Sequence, residues 1–151
     1  MNTDLTKEQK DYAIFLPAIS GFYATFIGKQ RREEYVEKSR IPFPNNSMES
    51  LNWFNTKEGL YKYHWSLYSA GHAELDIHKD APKEDMIRDR DRENSWLLGD
   101  SGGFQIGKGV WEGDWKDPNC PKAKKKREQV LAWMDAYMDY GMILDIPAWV
   151  A

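Results

Sequence analysis

The stretch Trp96-Leu97-Leu98-Gly99-Asp100-Ser101-Gly102-Gly103-Phe104-Gln105 constrains this chain more than any other. A short apolar run leads to an acid, and Ser-Gly-Gly comes at once after it. The pattern predicts a buried strand that stops at a carboxylate and turns through glycines. Glycine tolerates backbone dihedrals that side chains forbid, so such a turn lets main chain approach a ligand closely. An acid presented at the carboxyl end of a strand is how α/β folds build their sites. Asp100 is therefore the expected centre of a site.

A second acid falls into the same arrangement. After the glycines come a long loop from Ile106 to Cys120, carrying Trp111 and Trp115, and then a basic run. A helix is expected next, with Val130, Leu131, Met134, Tyr137 and Met138 as its apolar face and Gly141 as its stop. Met142-Ile143-Leu144-Asp145-Ile146-Pro147 then reads as another apolar strand ending at an acid. Strand, helix, strand is a βαβ unit, and its crossover makes the two strands parallel. Both carboxyl ends then lie on one edge of the sheet, which puts Asp100 and Asp145 in one mouth. Taken singly, Asp145 reads equally well as the N-cap of a following helix, whereas the Ser-Gly-Gly after Asp100 makes that reading the weaker one there.

The first half of the chain is less specific. Thr3 to Asp11 reads as a polar lead-in, and Tyr12 to Pro17 as a first strand that proline ends. Ser20 is placed to cap a helix containing Phe22, Tyr23, Phe26 and Ile27, with the charged residues 29–38 as its solvated continuation. Ser47 and Glu49 mark another helix start. Leu60, Tyr63, His64, Leu67 and Tyr68 recur at helical spacing before Gly71, which predicts a further helix. Residues 76–94 are strongly charged and read as an exposed connection with one helical turn over 84–92.

Composition narrows the function classes. At 151 residues the chain has the size of one domain. A net charge of −3 excludes the global basic field of a non-specific nucleic-acid binder. There remains a local patch, Lys122, Lys124, Lys125, Lys126 and Arg127, at the start of the long helix. Positive charge there opposes the helix dipole. The plainer reading is a solvated helix start, and the sharper one is contact with nucleic-acid phosphates through Lys124, Lys125, Lys126 and Arg127. One cysteine, Cys120, excludes an internal disulfide and a Cys-rich zinc site within this chain. His64, His72 and His78 are too scattered to read as metal ligands, so no cofactor is expected from these residues. No apolar run has the length of a membrane span and the amino terminus is not a signal peptide, so a cytoplasmic protein is expected. Seven Trp and eight Tyr read as a well-filled core, or as stacking surfaces for flat bases.

Gly99-Asp100-Ser101-Gly102-Gly103-Phe104-Gln105 resembles the Asp-Ser-Gly-Gly-Phe/Tyr-Gln signature of the tRNA-guanine transglycosylases. Lys126-Arg127-Glu128-Gln129, with the apolar strand that carries Asp145 and Pro147, is similar to the segment downstream of that signature in the family. The likeness runs from Trp96 to Pro147 and is faint before it. It implies an α/β fold, the first half of a (β/α)₈ TIM barrel, since a whole barrel takes roughly 250 residues. It also implies base exchange, in which guanine in tRNA is replaced by a 7-deazaguanine. Related enzymes of phages and bacterial gene clusters do the same in DNA, and the unusual first half leans the likeness towards them.

By matching position, Asp100 would be the proton acceptor and base-pocket acid. Ser101, Gly102 and Gly103 would line the pocket, Phe104 would stack on the base and Gln105 would brace the loop. Asp145 would accept hydrogen bonds from the exocyclic amine and ring N–H of a guanine-like base. In the family the covalent nucleophile is a later aspartate, and a zinc site of three Cys and one His lies later still. The resemblance thus implies that a second polypeptide or further sequence supplies both, and that this chain does not catalyse exchange alone. Two other readings of the residues remain open: a non-catalytic module that holds a base or nucleic acid, and an α/β hydrolase or glycosidase. The last would use Asp100 and Asp145 as a carboxylate pair within about 5–10 Å of each other.

Overall fold

A computed structural model describes residues 13–150, so the lead-in at Thr3 to Asp11 and Tyr12 of the expected first strand lie outside it. The elements are α1 (Gly21–Gln30), β1 (Trp65–Ser69), α2 (Asp85–Arg88), β2 (Trp96–Asp100), α3 (Gly103–Gly107), α4 (Pro121–Tyr137) and β3 (Tyr140–Gly141). Single 3₁₀ turns occur at Lys38–Arg40, Pro44–Asn46, Met48–Leu51 and Pro82–Glu84. The strands form a mixed α/β arrangement with an all-parallel sheet in the order β1-β2-β3, and no barrel closes among the described residues. The chain divides into two compact units, residues up to 67 with Ala81–Leu97, and Tyr68–Asp80 with residues from 98 on.

In the first unit α1 starts where expected, with Ser20 Oγ accepting the Tyr23 N–H at 3.0 Å. Its buried side carries Ala24, Ile27, Gly28 and Gln30. Gly28 lies so close to the main chain of Pro82 and Lys83 that a β-carbon would collide with it. The helix does not continue through 29–38. Gln30 folds the chain back, its Nε2 donating to Val36 O at 2.6 Å and its Oε1 accepting from Val36 N at 3.0 Å. Glu33 takes φ 59° in the turn between them.

Two other expectations change here. Residues 13–17 form no strand; only a parallel bridge pairs Ala18 with Leu67. Pro17 has no N–H to give a ladder, yet its carbonyl accepts from Leu67 N at 3.1 Å and from Ser66 Oγ at 2.6 Å. The expected helix through Leu60, Tyr63, His64, Leu67 and Tyr68 is replaced by irregular chain and then β1. Within β1 burial alternates, Ser66 and Tyr68 being buried, which is the period of a strand. Aromatic density in 60–68 satisfies three- and four-residue steps without a helix being present.

Charge in this unit is locally organised. Arg31 Nε meets Glu49 Oε1 at 2.6 Å and its Nη1 meets Asp89 Oδ2 at 2.8 Å. Glu49 also accepts from Asn52 Nδ2 at 3.1 Å and Asn55 Nδ2 at 2.8 Å. Burial alone would raise the Glu49 carboxyl, but the hydrogen bonds from Arg31 and Asn55 and the charge of Arg31 outweigh it and hold it below its ordinary value. The connection read as exposed is partly inside: Glu84, Met86, Ile87 and Arg90 are buried, and Arg90 Nη1 donates to Ser95 O and Ser95 Oγ, both at 3.1 Å.

The second unit contains the expected βαβ element. β2 and β3 pair in parallel with Leu98 opposite Tyr140 and Gly99 opposite Gly141, and α4 lies between them in sequence. The two registered glycines make a flat spot on which α4 sits. A β-carbon on Gly99 would meet Met138 and Trp133, and one on Gly141 would meet Met134. Trp133 is buried there, with Tyr68 tilted against it at 6.2 Å between ring centroids. Leu131, expected on this face, is instead 65% exposed, and Trp133 takes the inward place. Gly141 does not stop the helix, which ends at Tyr137.

β3 is two residues long and precedes the expected strand. Its ladder ends with Met142 N donating to Gly99 O at 2.8 Å. Beyond Asp100 the partner strand turns away, and residues 143–147 join no ladder among the described residues. Among the described residues no helix is long and apolar enough to cross a membrane.

Candidate functional site

β2 delivers Asp100 to the carboxyl edge of the sheet. Its carbonyl accepts the Ala70 N–H at 2.9 Å, which ties the end of β2 to the turn after β1. Ser101 is buried, and its Oγ accepts the Asp145 N–H at 3.3 Å. Gly102 comes next at φ +80°, in the left-handed region that favours glycine. A β-carbon at Gly102 would also run into the ring of Trp111. One at Gly103 would run into the carbonyl of Asp145. The segment carrying the second acid therefore lies main chain against main chain on the glycine turn, on the edge that the βαβ reading required.

α3 extends this seat. Gly107 is one turn beyond Gly103 on the same face, and a β-carbon there would meet Trp149 and Pro147. Trp149 Nε1 donates to Gly107 O at 3.4 Å. Phe104 faces outward, 68% exposed, with Lys108 Nζ 5.5 Å from its ring centroid. Gln105 packs its amide against Gly71, which has no β-carbon to obstruct it. Among the described residues the buried Gln105 Oε1 atom has no hydrogen-bond partner, and a buried acceptor left unmade costs about 1–3 kcal/mol.

The residues named from sequence are thus unequally gathered. Asp100, Ser101, Gly102, Gly103, Gln105 and the main chain of Asp145 meet at one place, while Phe104 presents its ring to solvent. In the basic run Lys124 and Lys125 are exposed. Lys126 Nζ stands 5.5 Å from the Trp111 ring centroid, and Arg127 Nη2 donates to Pro118 O at 2.8 Å, so these two hold the loop before α4. Trp111 and Trp115 are buried in that loop, Trp115 Nε1 donating to Trp111 O at 3.1 Å. Cys120, at the start of α4, accepts the Asp114 N–H at 3.2 Å; the N–H groups of Ala123 and Asp114 lower its thiol below the ordinary value.

Two neighbours of the turn carry no clear signal in the sequence. Gly71 reads there as a helix stop; once 65–69 is a strand, it becomes a second strand-end glycine on the same edge. Trp149 has no pattern to mark it. Among the described residues no group of three or more His, Cys, Asp or Glu is placed to hold a metal ion.

Fold and site together define a class: a mixed α/β chain whose parallel sheet carries a carboxylate and a glycine turn at its carboxyl edge. In comparisons with known proteins, no family model, no curated protein and no solved structure matches the chain.

Proposed function

We propose that this edge is the base pocket of a transglycosylase that exchanges guanine for a 7-deazaguanine in DNA or tRNA. The observation that carries the reading is the seating of Asp145 against Ser101 and Gly103, which joins the two halves of the motif into one site. On this reading the three parallel strands belong to the first half of a (β/α)₈ barrel, completed by further sequence or by a second polypeptide that brings the nucleophile. The Asp145 carboxylate accepts from the exocyclic amine and ring N–H of the base, a donor edge that suits an acid. Asp100 takes up the proton in exchange, and loss of a nucleobase requires such control of its ring protons. Phe104 offers a ring for stacking, and the exposed Lys124 and Lys125 offer charge to the phosphates of the nucleic acid.

Purine binding to the full chain tests the pocket, and incorporation of labelled guanine tests the reaction. Guanine or a 7-deazaguanine is expected to bind saturably, with adenine much weaker. Asp145→Asn should lose about tenfold or more in affinity, in line with about 1.5–3 kcal/mol for a hydrogen bond to a charged group. Labelled guanine should enter DNA or tRNA only when the completing polypeptide is added, and not with Asp100→Asn. Absence of saturable purine binding would overturn the pocket, and absence of incorporation with every partner would leave a binding module in its place.

A further inference from the structure

Within the first unit a cavity of about 170 Å³ lies among the end of α1, the segment that Gln30 turns back, and the 3₁₀ turns at Pro44–Asn46 and Met48–Leu51. A cavity of about 150 Å³ is room enough for a benzene-sized ligand. Ile27, Ile41 and Met48 give this one an apolar wall, the first two being buried. Arg31 and Glu49 also line it, but they are paired with each other, and Arg31 with Asp89 as well. Glu33 and Lys38 complete the charged lining, and among the described residues neither side chain has an ion-pair partner. Backbone conformation marks the same place. Among the described residues Glu33, Asn45 and Asn46 take a positive φ without being glycine, and Glu33 and Asn46 line the cavity. Asparagine visits that region readily, whereas glutamate does so at a cost and glycine would do so freely. The turn itself has no need of an acid, so the strained position argues for a use of the Glu33 carboxylate.

We infer that this cavity binds a free aliphatic α-amino acid of about leucine's size. Its side chain packs on Ile27, Ile41 and Met48, its ammonium meets the Glu33 carboxylate, and its carboxylate meets the Lys38 ammonium. A simple anion would be repelled by Glu33, and a simple cation by Lys38. A molecule carrying both charges uses both groups, and the apolar wall selects one with a hydrocarbon side chain. The site shares no residue with the Asp100 turn and is independent of what that turn binds.

The test titrates the full chain with leucine and follows amide NMR. Three analogues each lack one element: glycine the side chain, 4-methylpentanoate the ammonium, and leucinol the carboxylate. Leucine should bind saturably, with its largest shifts at Ile27, Glu33, Lys38 and Ile41, and each analogue should bind at least about threefold more weakly, as for exposed charge pairs. Glu33→Gln should weaken leucine about threefold while leaving 4-methylpentanoate unharmed, and Lys38→Gln should weaken leucine while leaving leucinol unharmed. Both side chains are exposed, and circular dichroism checks that the variants are folded. The inference is overturned if leucine does not saturate, if the shifts fall elsewhere, or if folded variants bind leucine as the parent does. Glycine, 4-methylpentanoate or leucinol binding as tightly as leucine would also overturn it, by showing that the element it lacks is not recognised.

Discussion

The ring of Trp111 occupies the space that a β-carbon on Gly102 would need. Lys126 stands over the same ring, with Nζ 5.5 Å from its centroid. The turn after Asp100 is therefore shaped from behind by a buried tryptophan, and α4 helps to hold that tryptophan in place.

Gly102→Ala should consequently suffer twice, from its positive φ and from collision with Trp111, for a loss of about 3 kcal/mol. Gly109 supplies the comparison, since its φ is +71° with nothing near its absent β-carbon. Gly109→Ala should lose only about 1 kcal/mol. Urea denaturation of the two variants separates the effects, and equal losses would mean that Trp111 moves aside freely.

Gly103 and Gly107 should control how residues 145–149 sit. Gly103→Ala is expected to lift Asp145 from the turn and break its N–H contact with Ser101 Oγ. The Asp145 amide should then exchange with solvent several-fold faster, as it should in Ser101→Ala, since the bond removed is worth about 1 kcal/mol net. Gly109→Ala should leave that rate unchanged. Hydrogen exchange followed by NMR reads all three.

Acid stability should carry the mark of Glu49. Its carboxyl is held below the ordinary value of 4.5 in the folded chain, so its contribution is present in full above that value. The contribution is lost as pH falls from there through the lowered folded value. Glu49→Gln should remove this acid-side loss and also cost about 2 kcal/mol at neutral pH, because Arg31, Asn52 and Asn55 lose a charged acceptor. Chemical denaturation across the acid range checks both signs.

The glycine pair under α4 should be unequal. Gly99→Ala meets the Trp133 ring as well as Met138, whereas the atoms nearest a β-carbon on Gly141 all belong to the flexible side chain of Met134. Gly99→Ala is expected to cost about 2 kcal/mol and Gly141→Ala less than about 1 kcal/mol. Trp133→Ala, which empties the centre of the contact, should cost about 3–5 kcal/mol. Thermal unfolding gives the order.

Legibility in the sequence tracks the locality of each signal. Ser20 announces α1 because a cap acts within three residues, and Asp100-Ser101-Gly102 announces its turn because a positive φ selects glycine on the spot. The parallel relation of β2 and β3 comes from the helix between them. β1 is hidden because its neighbours in space are remote in sequence, and 60–68 holds enough aromatics to mimic a helix. The place where β3 stops cannot be read from Met142 to Pro147, because β2 decides it by turning at Ser101. Trp133 does not stand out as the inward residue of α4 because the glycine that receives it, Gly99, lies on another element, β2. At the site, the contact of Asp145 with Ser101 is legible as a shared edge but not as a main-chain seat, and Gly71 is masked by the misread strand before it.

The register of Gly99 with Gly141 also sets an order of assembly. Those residues are separated by a loop and the whole of α4, so their pairing must overcome loop-closure entropy that the helix itself does not face. α4 can form from local contacts, but Ser101 and Asp145 meet only after the ladder closes. The seating of Asp145 on the glycine turn is then among the last features to appear during folding of its unit, and a substitution that slows β2–β3 pairing should delay that contact while leaving the helical signal early.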